Sequence, residues 1–256
     1  MSAPCDLGGK GVLVTRPAGQ AAGLRRLVHE AGGRAIPFAA IRILPVEDPK
    51  PAQRLLAQSW DLMIFISRNA VEQVLPLLPG RRLPDRPQLA AVGRATADAL
   101  TDAGRAPDLV PFGRFDSESL LALPELADLA GRRVLVVRGE GGRAILGDTL
   151  AERGAELRYA EVYRRALPDV DPAPLLESWR RDVHLVTATS EEILGNLIRL
   201  VGPEGRELLL ATPLVVVSER TAESARRRGF ARVEVAERAA DDALLSALCR
   251  AAFPGA

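Results

Sequence analysis

The sequence repeats a series of units, each an apolar strand leading into an amphipathic helix. GVLVTR at 11–16 returns as RVLVVR at 133–138, and AGG at 31–33, which stops the first helix, corresponds to RGA at 153–155. Extended crossing segments follow in both places, IPFAAIRI at 36–43 and LRYAEVYRR at 157–165. Ser67 corresponds to Ser190, each just past a strand. AVGRATADALTDAG at 91–104 corresponds to VVSERTAESARRRG at 216–229. An ordered internal match of this kind points to a duplicated architecture.

Within one unit the period changes from strand to helix. GVLVT is a short apolar run, and after it Leu24, Leu27, Val28 and Ala31 recur at helical spacing before glycines end the helix. The same reading applies to AIPF at 35–38, and to the units that begin at 61, 89, 132, 183 and 216. APDLVPF at 106–112 reads as a further strand, answered by RVEVA at 232–236. Apolar strands feeding helices predict an α/β fold with mostly parallel sheets covered on both faces.

A chain of 256 residues suffices for one large domain or two modest ones. The repeat is compatible with contiguous halves, 1 to about 128 and 129–256, or with crossing segments that carry the chain between domains. Pro37 and Pro45 bracket the first crossing, and Pro168, Pro172 and Pro174 follow the second, so linkers near 39–44 and 160–168 are plausible sites for extended chain.

Composition excludes several classes. No run of 18 apolar residues occurs, so no membrane span is expected, and the first residues lack the basic and apolar runs of a secretory signal. Cys5 and Cys249 make neither a disulfide scaffold nor a metal knuckle, which predicts a reduced cytoplasmic protein. His29 and His184 have no partner at ligand spacing, so no metal is expected. A net charge of +1, from 34 basic and 33 acidic residues, argues against a nucleic-acid partner. Nearly all the cations are arginine, with lysine only at Lys10 and Lys50. Arginine suits carboxylate recognition, though a GC-rich genome yields the same bias.

In parallel sheets, ligands bind beyond the carboxyl ends of the strands, where helix N-termini favour anions. The polar residues expected at those ends are Thr15-Arg16, Ser67-Arg68-Asn69, Gly93-Arg94 and the Arg138-Gly139-Glu140-Gly141-Gly142 turn, with Thr189-Ser190 and Ser218-Glu219-Arg220-Thr221. Ser67 and Ser190 also suit plain helix capping. GEGGR at 139–143 is neither a dinucleotide fingerprint nor a Walker loop, and no GxSxG, HExxH or CxxC is present. Of the two tyrosines, Tyr159 and Tyr163, period-two alternation puts both on one strand face with Glu161. A phenol at Tyr163 suits proton donation to a leaving hydroxyl, or interface packing. Trp60 and Trp179 read as core anchors.

The ordered set VLVTRP, IFISRNAV, AVGRATADAL, VLVVRGEGGR, AEVYRR, VTATSEEILGNL and VVSERTAESARRRG resembles the uroporphyrinogen-III synthase family over nearly the whole chain. The resemblance implies two similar α/β domains joined by a two-stranded linker, with the active site in the cleft between them. It favours a discontinuous first domain, 1–40 with 168–256, around a second at 41–167. It implies cofactor-free cyclisation of hydroxymethylbilane, a linear tetrapyrrole with eight carboxylates, with loss of water and inversion of ring D. Carried over residue by residue, Tyr163 becomes the candidate acid. Arg16, Ser67, Thr96, Arg138, Ser190, Ser218 and Thr221 become candidate substrate contacts. Glu191 and Glu192 depart from what a polycarboxylate site wants and are expected to face away from it. The partner expected is this small molecule alone, with no nucleic acid or membrane, and the chain is expected to be a monomer. The rival readings are a two-lobed binding protein for a small anion and a nucleotide-dependent enzyme.

Overall fold

The computed structural model describes residues 5–112, 117–141 and 145–253. Its short apolar runs become strands because they can be buried on both sides: β1 (Gly11–Val14) is buried at every position. The next strands in chain order are β2 (Arg34–Pro37), β3 (Arg42–Pro45), β4 (Leu62–Phe65), β5 (Gln88–Ala91) and β6 (Arg133–Gly139). They continue as β7 (Glu156–Ala166), β8 (Leu185–Ala188), β9 (Leu214–Val216) and β10 (Val233–Val235). The helices begin with α1 (Ala22–Glu30), α2 (Lys50–Leu56), α3 (Arg68–Val74), α4 (Arg94–Asp102) and α5 (Ser117–Leu121). After them come α6 (Ile145–Glu152), α7 (Ala173–Asp182), α8 (Glu191–Ala211), α9 (Glu219–Arg227) and α10 (Asp241–Ala252).

The chain divides into two compact units, Met1–Arg42 with Ala166–Ala256, and Ile43–Arg165. The first holds a sheet of order β10-β9-β8-β1-β2, the second a sheet of order β3-β7-β6-β4-β5. In the first unit β1 runs parallel to β2 and β8, and β9 parallel to β8 and β10. In the second, β4 runs parallel to β5 and β6, and β6 to β7. The sequence repeat is therefore a repeat of topology. The path β2-β1-β8-β9 in one sheet is the path β7-β6-β4-β5 in the other, with the matched runs GVLV and RVLVVRG in the same place.

Both sheets are covered on two faces, as parallel sheets require. In β4, Met63 and Phe65 face one cluster while Leu62 and Ile64 face another. In β1, Leu13 faces one side and Val12 and Val14 the other. Burying side chains of this size contributes roughly 1.5–3 kcal/mol each. Trp60 and Trp179 are anchors, as expected: each indole N–H is satisfied, by the Leu55 carbonyl and by Thr212 Oγ1.

Two expectations fail. APDLVPF forms only a single parallel bridge, Ala90 to Leu109, where its counterpart RVEVA contributes β10. Pro107 and Pro111 lack the N–H a ladder needs, and the Leu89 N–H is taken by the Asp108 carboxylate at 2.7 Å. The cysteines are not separate either: Cys5 and Cys249 are joined, with Cα atoms 6.0 Å apart. Leu7 is buried in the same cluster as Leu244 and Leu248 of α10, which brings Cys5 and Cys249 within reach of each other.

Candidate functional site

An open parallel sheet offers a crevice at the carboxyl ends of its strands where the strand order reverses. In the Ile43–Arg165 unit that reversal lies between β4 and β6; in the other it lies between β1 and β8. Ser67 follows β4 and Gly139 ends β6. Thr15 and Arg16 follow β1, and Ser190 follows β8. Each reversal thus carries candidates from the sequence.

Tyr163 reaches its reversal from the neighbouring strand. The β6–β7 register pairs Arg138 with Glu161 and then Gly139 with Tyr163, so Val162 is an extra residue and the ladder bulges. A bulge re-aims the side chains that follow it. Tyr159 therefore packs with the cluster around Ile64 and Val136, while Tyr163 packs with Phe65 and Val137 on the opposite face. This corrects the expectation that Tyr159, Glu161 and Tyr163 share a face: strict alternation holds only while the ladder is unbroken. Tyr163 is 2% exposed, and its hydroxyl lies 3.1 Å from Ser67 Oγ. Ser67 Oγ also accepts the Ala70 N–H at 3.1 Å, so the serine caps α3 and meets the phenol with one oxygen. The Arg165 guanidinium sits 5.9 Å from the Tyr163 ring centre.

Arg138 lies on the other face. Its guanidinium donates to Glu161 Oε1 from Nε at 3.2 Å and from a terminal nitrogen at 2.9 Å, and stacks 4.1 Å from the centre of the Tyr159 ring. The structure thus separates Arg138 from Tyr163. Of the GEGGR stretch, Gly142 and Arg143 lie outside the described residues.

In the first unit, Thr15 Oγ1 donates to the Thr187 carbonyl at 2.6 Å and Thr187 Oγ1 donates to the Leu13 carbonyl at 2.9 Å, both fully buried. This reciprocal pair locks β1 to β8 at the reversal, and the alternating pattern alone did not reveal it. Arg16 is ion-paired with Asp241 in the first turn of α10, so it braces a helix N-terminus. Ser190 caps α8 through the Ile193 N–H at 3.1 Å. Ser218 caps α9 and lies 2.9 Å from the hydroxyl of the buried Thr221. Glu191 accepts a hydrogen bond from Ser224 of α9 at 3.0 Å, which ties this carboxylate to a neighbouring helix.

Thr96, 4% exposed, sits in the first turn of α4, whose N-cap is Gly93 with no side-chain cap. The candidates therefore group as Tyr163 with Ser67 and as Ser218 with Thr221; Arg16, Arg138, Ser190 and Thr96 each stand apart in their own local contacts. Among the described residues no three His, Cys, Asp or Glu converge as metal ligands would. The residue missed in the sequence is Gly139, on which the Tyr163 ring lies. A glycine inside a strand marks a close approach, and in the sequence that signal is masked by the glycines at 141 and 142 that follow it.

The family model described as Uroporphyrinogen-III synthase HemD matches residues 22–246. The uroporphyrinogen-III synthase of Escherichia coli K12 is 40% identical over 243 residues, covering 93% of this chain and 99% of that one. That of Salmonella typhimurium LT2 is 39% identical with the same coverage. Among solved structures, a mutant uroporphyrinogen III synthase of Thermus thermophilus superposes with a TM-score of 0.58 at 24% identity, covering 95% of this chain and 98% of that one. The corresponding enzyme of Helicobacter pylori 26695 gives 0.57 at 17% identity, with 93% and 97% covered. These two similarities bear on the fold, which is the same α/β arrangement.

Proposed function

The chain belongs to the uroporphyrinogen-III synthase family, and from that premise we propose how its own residues carry the reaction. The reaction is the cyclisation of hydroxymethylbilane to uroporphyrinogen III, a lyase step of tetrapyrrole and heme biosynthesis in which water is lost and ring D is inverted.

The pyrrole nitrogen of the ring that bears the hydroxymethyl group can expel that hydroxyl as water once the oxygen gains a proton, leaving an azafulvenium cation that still carries its N–H. One acid suffices, and we assign it to Tyr163. The observation that carries this assignment is the contact between the phenol and Ser67 Oγ at the strand-order reversal. One lone pair of Ser67 Oγ is engaged by the Ala70 N–H, so its own hydrogen can turn to the phenol oxygen. The phenol proton is then available to the leaving hydroxyl, and the serine stabilises the phenolate left behind.

Selectivity is a separate matter. Unguided closure joins the free position of ring D; the inverted product requires attack at its substituted position, through a spiro intermediate that breaks and rejoins. We attribute that choice to holding the bilane folded, a matter of orientation. Main-chain amides at strand ends suit its carboxylates, with Thr96, Ser190, Ser218 and Thr221 placed at the first turns of α4, α8 and α9. Arg16 and Arg138 we read as braces of those ends.

Among the described residues no helix is long and apolar enough to cross a membrane. We read the enzyme as cytoplasmic from its biosynthetic step; the joined cysteines are the feature that pulls the other way. We read it as a monomer, supported by the few large apolar side chains left exposed among the described residues, Phe112, Leu167, Val170 and Phe253. Incubation with freshly generated hydroxymethylbilane tests the reading: isomer III is expected, and isomer I at the uncatalysed rate would reduce the chain to a binder.

A further inference from the structure

We infer that Gly139 is a positioning residue for this reaction, the seat on which the Tyr163 ring lies so that its hydroxyl meets Ser67; this rests on the reading of Tyr163 as the proton donor. A Cβ at position 139 would lie 2.6 Å from both Cε2 and Cζ of Tyr163 and 3.0 Å from Cε1. The ring thus crosses the backbone of β6 with its hydroxyl-bearing end against the one residue that has no side chain. The bulge supplies the other half of the device, since it pairs Gly139 with Tyr163 and turns the ring to this face.

The ring has little freedom to give way. It is 2% exposed and packed among Phe65, Val137 and Val162. The Tyr163 backbone carbonyl accepts the Glu140 N–H at 2.9 Å. Restoring ordinary contact with a methyl group would move the ring end by on the order of 1 Å, a displacement that can cost about 100-fold in rate when it misplaces a catalytic group.

A second glycine provides the control. A Cβ at Gly147 would lie 1.5 Å from the Tyr159 hydroxyl, so Gly147 seats the other tyrosine on the opposite sheet face. Gly147→Ala disturbs packing of the same kind with no route to Ser67.

The chain has two tyrosines, so protein labelled with 3-fluorotyrosine gives two fluorine resonances, assigned with Tyr159→Phe. For Gly139→Ala the Tyr163 resonance is expected to move, with kcat reduced about 100-fold and KM changed less than about 3-fold. In a Tyr163→Phe background the same substitution is expected to cost less than about 3-fold, because residues acting through one another are not additive. Gly147→Ala is expected to move the Tyr159 resonance and leave kcat within about 3-fold of wild type. An unmoved Tyr163 resonance, full kcat, or an equal loss in both backgrounds would overturn the inference. Full activity in Tyr163→Phe alone would instead overturn the donor reading, and the resonance would still report whether Gly139 seats the ring. If Gly139→Ala fails to fold, the Gly139→Ala/Tyr163→Val protein, which lacks the ring, is expected to fold; its failure would overturn the inference too.

Discussion

The phenol oxygen of Tyr163 lies 3.1 Å from Ser67 Oγ, although 96 positions separate the two residues in the chain. One comes from β7 and the other from the cap of α3, and neither strand touches the other directly: β6 lies between β7 and β4. The contact depends on the intervening strand offering no side chain at Gly139.

Ser67 and Ser190 are matched N-caps with nearly the same backbone angles, and each accepts an amide at 3.1 Å. Replacing either by alanine is expected to cost about 1 kcal/mol of stability, read from denaturant unfolding. Only Ser67→Ala also removes the partner of the phenol. Its kcat is expected to fall about 10-fold further than that of Ser190→Ala, in keeping with the loss of one hydrogen bond to a charge-developing group. Equal activities would reduce Ser67 to a cap.

Arg16 and Asp241 form a largely buried pair, their side chains 15% and 29% exposed. Removing one partner leaves the other uncompensated, so Arg16→Ala and Asp241→Asn are each expected to destabilise by roughly 1–3 kcal/mol. The double variant should lose clearly less than the sum. Additive losses, or a rise in KM without a stability change, would instead make Arg16 a substrate contact.

Arg138 is held by Glu161 and Tyr159 on the face away from Tyr163. Arg138→Ala is expected to lower the unfolding midpoint by roughly 1–2 kcal/mol equivalent while KM rises less than about 3-fold. A large rise in KM at unchanged stability would restore it as a carboxylate ligand.

A link between Cys5 and Cys249, 244 positions apart, restricts the unfolded chain and can stabilise by up to about 5 kcal/mol. Reductant is expected to lower the thermal midpoint of the wild-type protein and leave Cys5→Ser unchanged. Protein denatured without reductant should show no free thiol; finding two would contradict the link.

Much of the fold was readable because two-sided burial writes itself into sequence as apolar runs, and the duplication showed which runs correspond. GVLV and LMIF needed no tertiary information to be assigned as strands. What was not readable arose from the ladder. The extra residue at Val162 reverses which face Tyr163 occupies, and nothing in AEVYRR announces it. APDLVPF shares the apolar pattern of RVEVA, but its prolines lack the N–H groups a ladder needs. Most of the candidate hydroxyls were found because they end strands, yet their partners were not: Asp241 for Arg16 and Glu161 for Arg138 are supplied by other elements. That Cys5 and Cys249 meet is likewise a property of packing.

In the mechanism proposed here Tyr163 supplies the proton while orientation of the bilane chooses the isomer. Single-turnover reaction of Tyr163→Phe with excess enzyme over hydroxymethylbilane, followed by separation of the product isomers, tests both parts at once. The expected rate is about 100-fold below wild type, within the range a general acid contributes, and the expected product is still isomer III. A wild-type rate, or a product that has become isomer I, would contradict it.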